Sequence, residues 1–227
     1  MSCRRLSGAI RTRCAAAAMA LLLASVCAFA ARQSEDESRK LALTQLQSPD
    51  ADARLAASTL LAEIGKQEDL PFLQSHLFDE DDRIRGTAEA AIWRIWGRSG
   101  DAAADRLFER GLEQMRESRL RGAVDIFSRV IDMRPAFTEA WNKRATVYFL
   151  LGEDDLSLQD CDEVLKRNPQ HFGVLAGYGQ IYLRKGELQR ALDYFEQALA
   201  INPNMPGVQA SIDALREILI KRGRRFI

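Results

Sequence analysis

Along most of this chain apolar and small residues return every three to four positions, the spacing that puts them on one face of a helix. In the final such stretch Val208, Ile212, Leu215, Ile218 and Leu219 keep that period while Gln209, Asp213 and Arg216 fall between them, which predicts an amphipathic helix between Met205 and Lys221. Upstream, Pro135, Pro169 and Pro203 stand at equal intervals of 34 residues. Alignment on these prolines brings Ala123, Ser157 and Ala191 together, then Phe127, Cys161 and Phe195, then Val130, Val164 and Ala198. Before them Leu107, Trp141 and Leu175 align, as do Gly111, Ala145 and Gly179. Gly152 and Gly186 share one position, where a left-handed residue can end a first helix, and each proline follows a second helix that it stops. The pattern predicts three helix pairs, each unable to bury its apolar face alone and therefore stacked on its neighbours.

A second period lies nearer the N terminus. Asp50, Arg54, Ala57, Leu61 and Ile64 return as Asp81, Arg85, Ala88, Ile92 and Ile95, each shifted by 31. Acidic residues at a helix start, an arginine one turn on and small residues in mid-helix describe either two repeats or two similar amphipathic helices. The breaker Gly97-Arg98-Ser99-Gly100-Asp101 follows, with Asp101 placed to cap the next helix. Trp93 and Trp96, just before it, are expected to pack against Leu107 and the first of the 34-residue units.

The first thirty residues differ from the rest. Arg4, Arg5, Arg11 and Arg13 precede an apolar run from Cys14 to Ala30 that ends Ala28-Phe29-Ala30, followed by polar Arg32-Gln33-Ser34-Glu35. This predicts a signal peptide over 1–30 cleaved after Ala30, with an uncleaved N-terminal anchor as the alternative, and hence an exported, periplasmic protein. The whole chain has 227 residues, 47% hydrophobic and 28% charged, enough to bury a core. Its 6 prolines and 7% aromatic residues argue against an all-β sandwich and for helices. Basic and acidic residues number 32 each; without the four leading arginines the remainder has 28 against 32, a mildly acidic balance that excludes bulk nucleic-acid binding. Cys161 is then the one cysteine left, so no internal disulfide is expected.

Trp141, Ala145 and Tyr148 in the second unit, with Gly179, Tyr182, Ala191, Phe195, Ala198 and Pro203 in the third, closely resemble the tetratricopeptide repeat (TPR) family. The first unit departs from that pattern, with Gln114 and Ser118 in place of the aromatic and the turn glycine. The 31-residue period resembles short HEAT-type repeats, and the two together resemble exported bacterial TPR proteins. The implied architecture is an all-α helical-repeat solenoid: two HEAT-like repeats (36–98), three TPR units (104–205), a capping helix (206–222) and a basic tail (223–227). The resemblance further implies a concave groove for a peptide or partner helix, its contact positions falling on Asn142, Lys143, Thr146 and Phe149 in the second unit and Gly173, Gly177, Gln180 and Arg184 in the third. The carboxylate clamp of some TPR proteins is not expected, because Phe108, Leu112, Gly173 and Gly177 stand at its positions. An interior helix glycine costs about 1 kcal/mol relative to alanine, so Gly173 and Gly177 call for a compensating close approach, by a ligand backbone or by a packed helix.

Catalytic chemistry has few candidates. With two histidines in the chain, one cysteine after the leader and no glycine-rich phosphate loop, the reading is of a protein that is not an enzyme and takes no cofactor or metal. His76 and His171 are expected to serve structural or capping roles, Asp79-Glu80-Asp81-Asp82 to favour a helix N terminus, and Cys161 to be a buried small hydrophobe. The expected function is a non-catalytic interaction scaffold of the cell envelope whose partner is another protein or peptide. The alternative is an assembly factor that docks on a membrane complex through the HEAT-like face and the tail Lys221-Arg222-Gly223-Arg224-Arg225-Phe226-Ile227, making peripheral membrane contact.

Overall fold

The structure, a computed structural model, describes residues 29–223. The signal peptide read over 1–30 lies outside these residues except for its last two, as does the basic tail from Arg224 onward. Among the described residues there is no strand. The helices are α1 (29–45), α2 (Ala51–Ile64), α3 (Leu70–Ser75), α4 (Asp82–Trp96), α5 (Ala102–Arg116), α6 (Leu120–Met133), α7 (Thr138–Leu151), α8 (Asp154–Arg167), α9 (Phe172–Arg184), α10 (Leu188–Ile201) and α11 (Pro206–Gly223). The molecule is the all-α solenoid that the two periods predict.

Local chemistry sets the helix starts. The side chains of Asp50 and Asp81 accept from the amides of Asp52 and Arg83 at the heads of α2 and α4, and Asp101 accepts from Ala103 and Ala104 at the head of α5. The 31-residue shift is also a geometric equivalence. Arg54 Nη1 donates to the carbonyls of Ser48 and Pro49, six and five residues back, and Arg85 Nη1 donates to those of Asp79 and Glu80 at the same offsets. Arg54 also pairs with Asp79 at 2.8 Å, so that carboxylate joins the two helix pairs instead of merely favouring a helix start. Arg85 turns instead to Asn204 Oδ1 at 2.9 Å, and Asn204 Nδ2 donates to the Leu77 carbonyl at 2.8 Å. The far end of the chain thus meets the N-terminal helices.

From α5 onward, helices join in pairs through short turns. Gly152 and Gly186 take the left-handed conformation, with φ of +79° and +77°, between α7 and α8 and between α9 and α10. Ser118 holds the equivalent turn at φ +57° without the freedom of a glycine. Inside each pair the aligned small and large residues meet. Phe127 and Phe195 are fully buried, and a methyl added to Gly111 or Gly179 would sit 2.5 Å or 2.4 Å from their rings. In the middle unit the aligned residues are a smaller pair, Ala145 and Cys161, both buried in the same core. α11 closes the last unit by burying Val208, Ile212 and Leu215 against the same core.

The expected packing of Trp93 and Trp96 on Leu107 is corrected. Leu107 belongs to a core of α5, α6 and α7, whereas the two indoles sit against the start of the third unit. Trp96 stacks on His171, with centroids 4.1 Å apart and planes at 17°, and both indoles lie about 5 Å from the Phe172 ring. The reason is curvature: stacked pairs rotate progressively, so the mouth of α9 swings toward α4, and Ile201 and Met205 pack on the same cluster.

Candidate functional site

The first helices of the three units, α5, α7 and α9, lie side by side, and α4 faces α5 and α7 across a crevice. Beside that crevice is a buried polar cluster. Glu139, 2% exposed, accepts from Asn142 Nδ2 at 3.0 Å, Lys143 Nζ at 2.8 Å and His171 Nε2 at 3.1 Å. His171 Nδ1 accepts the Val174 amide at 3.2 Å, capping α9, so its proton resides on Nε2. Burial raises the Glu139 carboxyl, but the hydrogen bond from His171 and the charge of Lys143 outweigh it and hold it below the ordinary carboxylate range. Lys143 Nζ also lies 5.2 Å from the Trp93 ring centroid, tying α7 to α4.

Two spaces remain open beside this cluster. The larger is a crevice of about 510 Å³ between α4 and the helices α5 and α7, with Trp93, Phe108 and Leu112 as apolar walls and Arg94, Glu109 and Lys143 as charges. The smaller, about 200 Å³, lies between α7, α8 and α9. Six of the eight groove positions read from the sequence line it: Asn142, Thr146, Phe149, Gly173, Gly177 and Gln180. Lys143 lines the crevice instead. Arg184 is held by the Asp154 carboxylate, donates to the Phe149 carbonyl at 2.9 Å and covers the Phe149 ring at 3.8 Å, so those two side chains satisfy each other. Trp93, Phe108 and Leu112 were not among the groove positions. Trp93 lies outside the repeat pattern, and the other two appear there only as misfits to the carboxylate clamp.

The two interior glycines separate. A methyl on Gly173 would stand 2.5 Å from Trp93 Cη2, so there the compensating approach is a packed side chain of α4; a methyl on Gly177 would meet nothing within 4 Å. Gly177→Ala is therefore expected to stabilise the fold by about 1 kcal/mol through helix propensity. Gly179→Ala, two residues on, is expected to cost about 1–3 kcal/mol through its clash with Phe195. Urea denaturation of the two variants checks this, and equal shifts in midpoint would refute the distinction.

Cys161 forms part of the cavity wall. Burial pushes its thiol up to about 12, so it is uncharged at neutral pH and behaves as an apolar surface. His76 is buried and bridges the Leu46 and Phe72 carbonyls, both at 2.8 Å. Among the described residues no three His, Cys, Asp or Glu side chains are placed to hold a metal ion, and no helix is long and apolar enough to cross a membrane.

Comparison with known proteins agrees with this geometry. A family model described as Tetratricopeptide repeat matches residues 137–204. A TPR repeat-containing protein of Rhizobium etli is 32% identical over 148 residues, which cover 65% of this chain and 72% of that protein. Among solved structures, the Sgt2 TPR domain from Aspergillus fumigatus superposes with a TM-score of 0.51 at 15% identity, over 55% of this chain and 83% of that one. The first TPR of Spaghetti (RPAP3), bound to the HSP90 peptide SRMEEVD, superposes with a TM-score of 0.50 at 20% identity, over 52% of this chain and 93% of that one. These structures share the fold. With the 34-residue spacing, the three helix pairs and the bacterial relative in agreement, the chain belongs to the tetratricopeptide-repeat family.

Proposed function

We propose that this protein is a non-catalytic interaction scaffold that holds an extended segment of a partner protein on its concave face. The observation that carries this reading is the open crevice of about 510 Å³ between α4 and the helices α5 and α7, which offers apolar walls and charges of both signs. The RPAP3 domain holds a peptide, which supports the same use of the fold here. The ligand is not expected to be gripped by its terminal carboxylate, because the clamp positions carry Phe108, Leu112, Gly173 and Gly177. The N-terminal pairs, with their matched arginines and 31-residue shift, are read as HEAT-like repeats that form one wall of the site. The basic and apolar leader supports export, and the scaffold is placed in the cell envelope. The groove in this reading comprises Asn142, Lys143, Thr146, Phe149, Gly173, Gly177, Gln180 and Arg184, extended by Trp93, Phe108 and Leu112.

Selection of a displayed random-peptide library on the chain tests the proposal. Enriched peptides are expected to lose at least tenfold in affinity for an Arg94→Ala, Glu109→Ala, Leu112→Ser variant that keeps its helical circular dichroism. No enrichment, or binding indifferent to the three changes, would overturn the reading. Salt-reversible binding to anionic vesicles in place of peptides would favour docking on a membrane complex through the N-terminal face and the basic tail.

A further inference from the structure

The middle repeat differs from its neighbours at one buried contact. In the first and third units a phenylalanine ring, Phe127 or Phe195, lies on a glycine of the facing helix and fills the space between the two helices of the pair. In the second unit the corresponding residues are Cys161 and Ala145, and the exchange returns one methyl while removing a whole ring. Both of these residues line the cavity of about 200 Å³ between α7, α8 and α9. Ala145 and Cys161, each 3% exposed, form the floor of this cavity, which lies over the contact that a ring makes in the other two units.

Its surroundings define an occupant. Ala145, Cys161, Val174 and Ile181 supply an apolar lining, and the hydroxyl proton of Ser157 is already donated to the Ala145 carbonyl at 2.8 Å. Asn142, Thr146 and Gln180 stand among the residues around it; Gln180 is exposed and its amide has no hydrogen-bond partner among the described residues. The cavity is continuous with an apolar contact already formed inside the molecule. Trp93 occupies the space over Gly173, which also lines the cavity, and Gly177 lies one helical turn further along α9, about 6 Å away, with nothing over it. The Trp93 contact demonstrates that this face of α9 accepts a large apolar side chain, and the adjoining position is vacant of protein atoms.

We infer that this cavity is a socket for a single leucine-sized apolar side chain of the bound partner segment, left open by Gly177 and floored by the small residues Ala145 and Cys161 where the other units carry a phenylalanine. The inference rests on the concave-face reading above and deepens it, giving the partner an apolar anchor residue with the amide of Gln180 available to its backbone. An apolar cavity of this size also takes small apolar molecules, which allows a test without knowledge of the partner.

The probes are N-acetyl-leucine N-methylamide, with the corresponding alanine and aspartate amides as controls, titrated into the chain labelled with carbon-13 at valine, leucine and isoleucine methyls. The expected result is a saturable shift of the Val174 and Ile181 methyl resonances with the leucine amide, at least tenfold weaker with the other two. In Cys161→Phe, Ala145→Gly, which restores the pair found in the flanking units, the shift is lost. Gly177→Leu, where the added side chain meets open space, loses it as well and guards against misfolding of the first variant. No shift with the leucine amide in the wild type, or a shift undiminished in both folded variants, would overturn the socket. If displayed peptides bind through Arg94, Glu109 and Leu112 while Val174 and Ile181 stay unperturbed, the socket fails and the scaffold reading stands. If the leucine amide binds and no peptide is enriched, the scaffold reading fails and the cavity remains.

Discussion

Trp96→Ala is expected to cost about 3–5 kcal/mol, the range for removing a buried tryptophan ring, and to uncouple the N-terminal helices from the repeat units. Trp96 is 4% exposed, stacks on His171 and packs on Phe172 and Trp93, so its ring is, with that of Trp93, an apolar bridge between α4 and α9. Without it, the contacts left across that seam include those of Trp93 with Phe172, Gly173 and Lys143 and the hydrogen bonds of Asn204. Urea unfolding followed by circular dichroism should then change from one transition to two, with α1 to α4 melting first. Trp96→Phe should be much milder, because it keeps an aromatic ring and removes an indole N–H that is buried without an acceptor. A single transition displaced by less than about 1 kcal/mol in Trp96→Ala would refute the bridge.

The second large effect is expected at Glu139. Its replacement by alanine leaves Lys143, Asn142 and His171 without their shared acceptor in a buried site, and removing one partner of such a cluster costs about 3–5 kcal/mol. The same carboxylate makes stability depend on pH. Its folded pKa is depressed below the ordinary 4.5, burial being outweighed by the His171 hydrogen bond and the Lys143 charge. The unfolded chain therefore takes up the proton first as pH falls, and the stabilisation is complete above about pH 4.5 and is lost through the folded value below it. Wild-type stability should accordingly fall more steeply below pH 4.5 than that of Glu139→Ala, measured as the urea midpoint across pH 3 to 7. Parallel curves would show that the cluster contributes nothing through its charge.

Both effects bear on the proposed binding, because Trp93, Glu139 and Lys143 border the crevice and Asn142 and Gly173 border the small cavity, so part of the cluster and one indole form the floor between them. Asn142, Lys143 and Gly173 contribute to that floor while also lining the open spaces. Under the proposed function, changes at Lys143 or Gly173 are therefore expected to perturb stability and affinity together, and changes at Gly177 and Gln180 to alter affinity with little structural cost.

What was legible in the sequence is local or repeated. The capping aspartates at Asp50, Asp81 and Asp101, the turn glycines Gly152 and Gly186, and the 34- and 31-residue periods each act within one or two turns of chain. Residue chemistry and spacing alone therefore determined the helix pairs and their order. The repeats even encode the exchange of Phe for Cys161 opposite Ala145, though not that a cavity lies above that pair. The destination of Trp93 and Trp96, the burial of Glu139 with His171, the covering of Gly173 and the openness of Gly177 were decided by the tertiary structure. Each depends on how far successive pairs rotate, and small rotations added over three units bring α9 against α4. No window of sequence contains that sum, so the same glycine-bearing helix face holds one position filled from within the molecule and another left open.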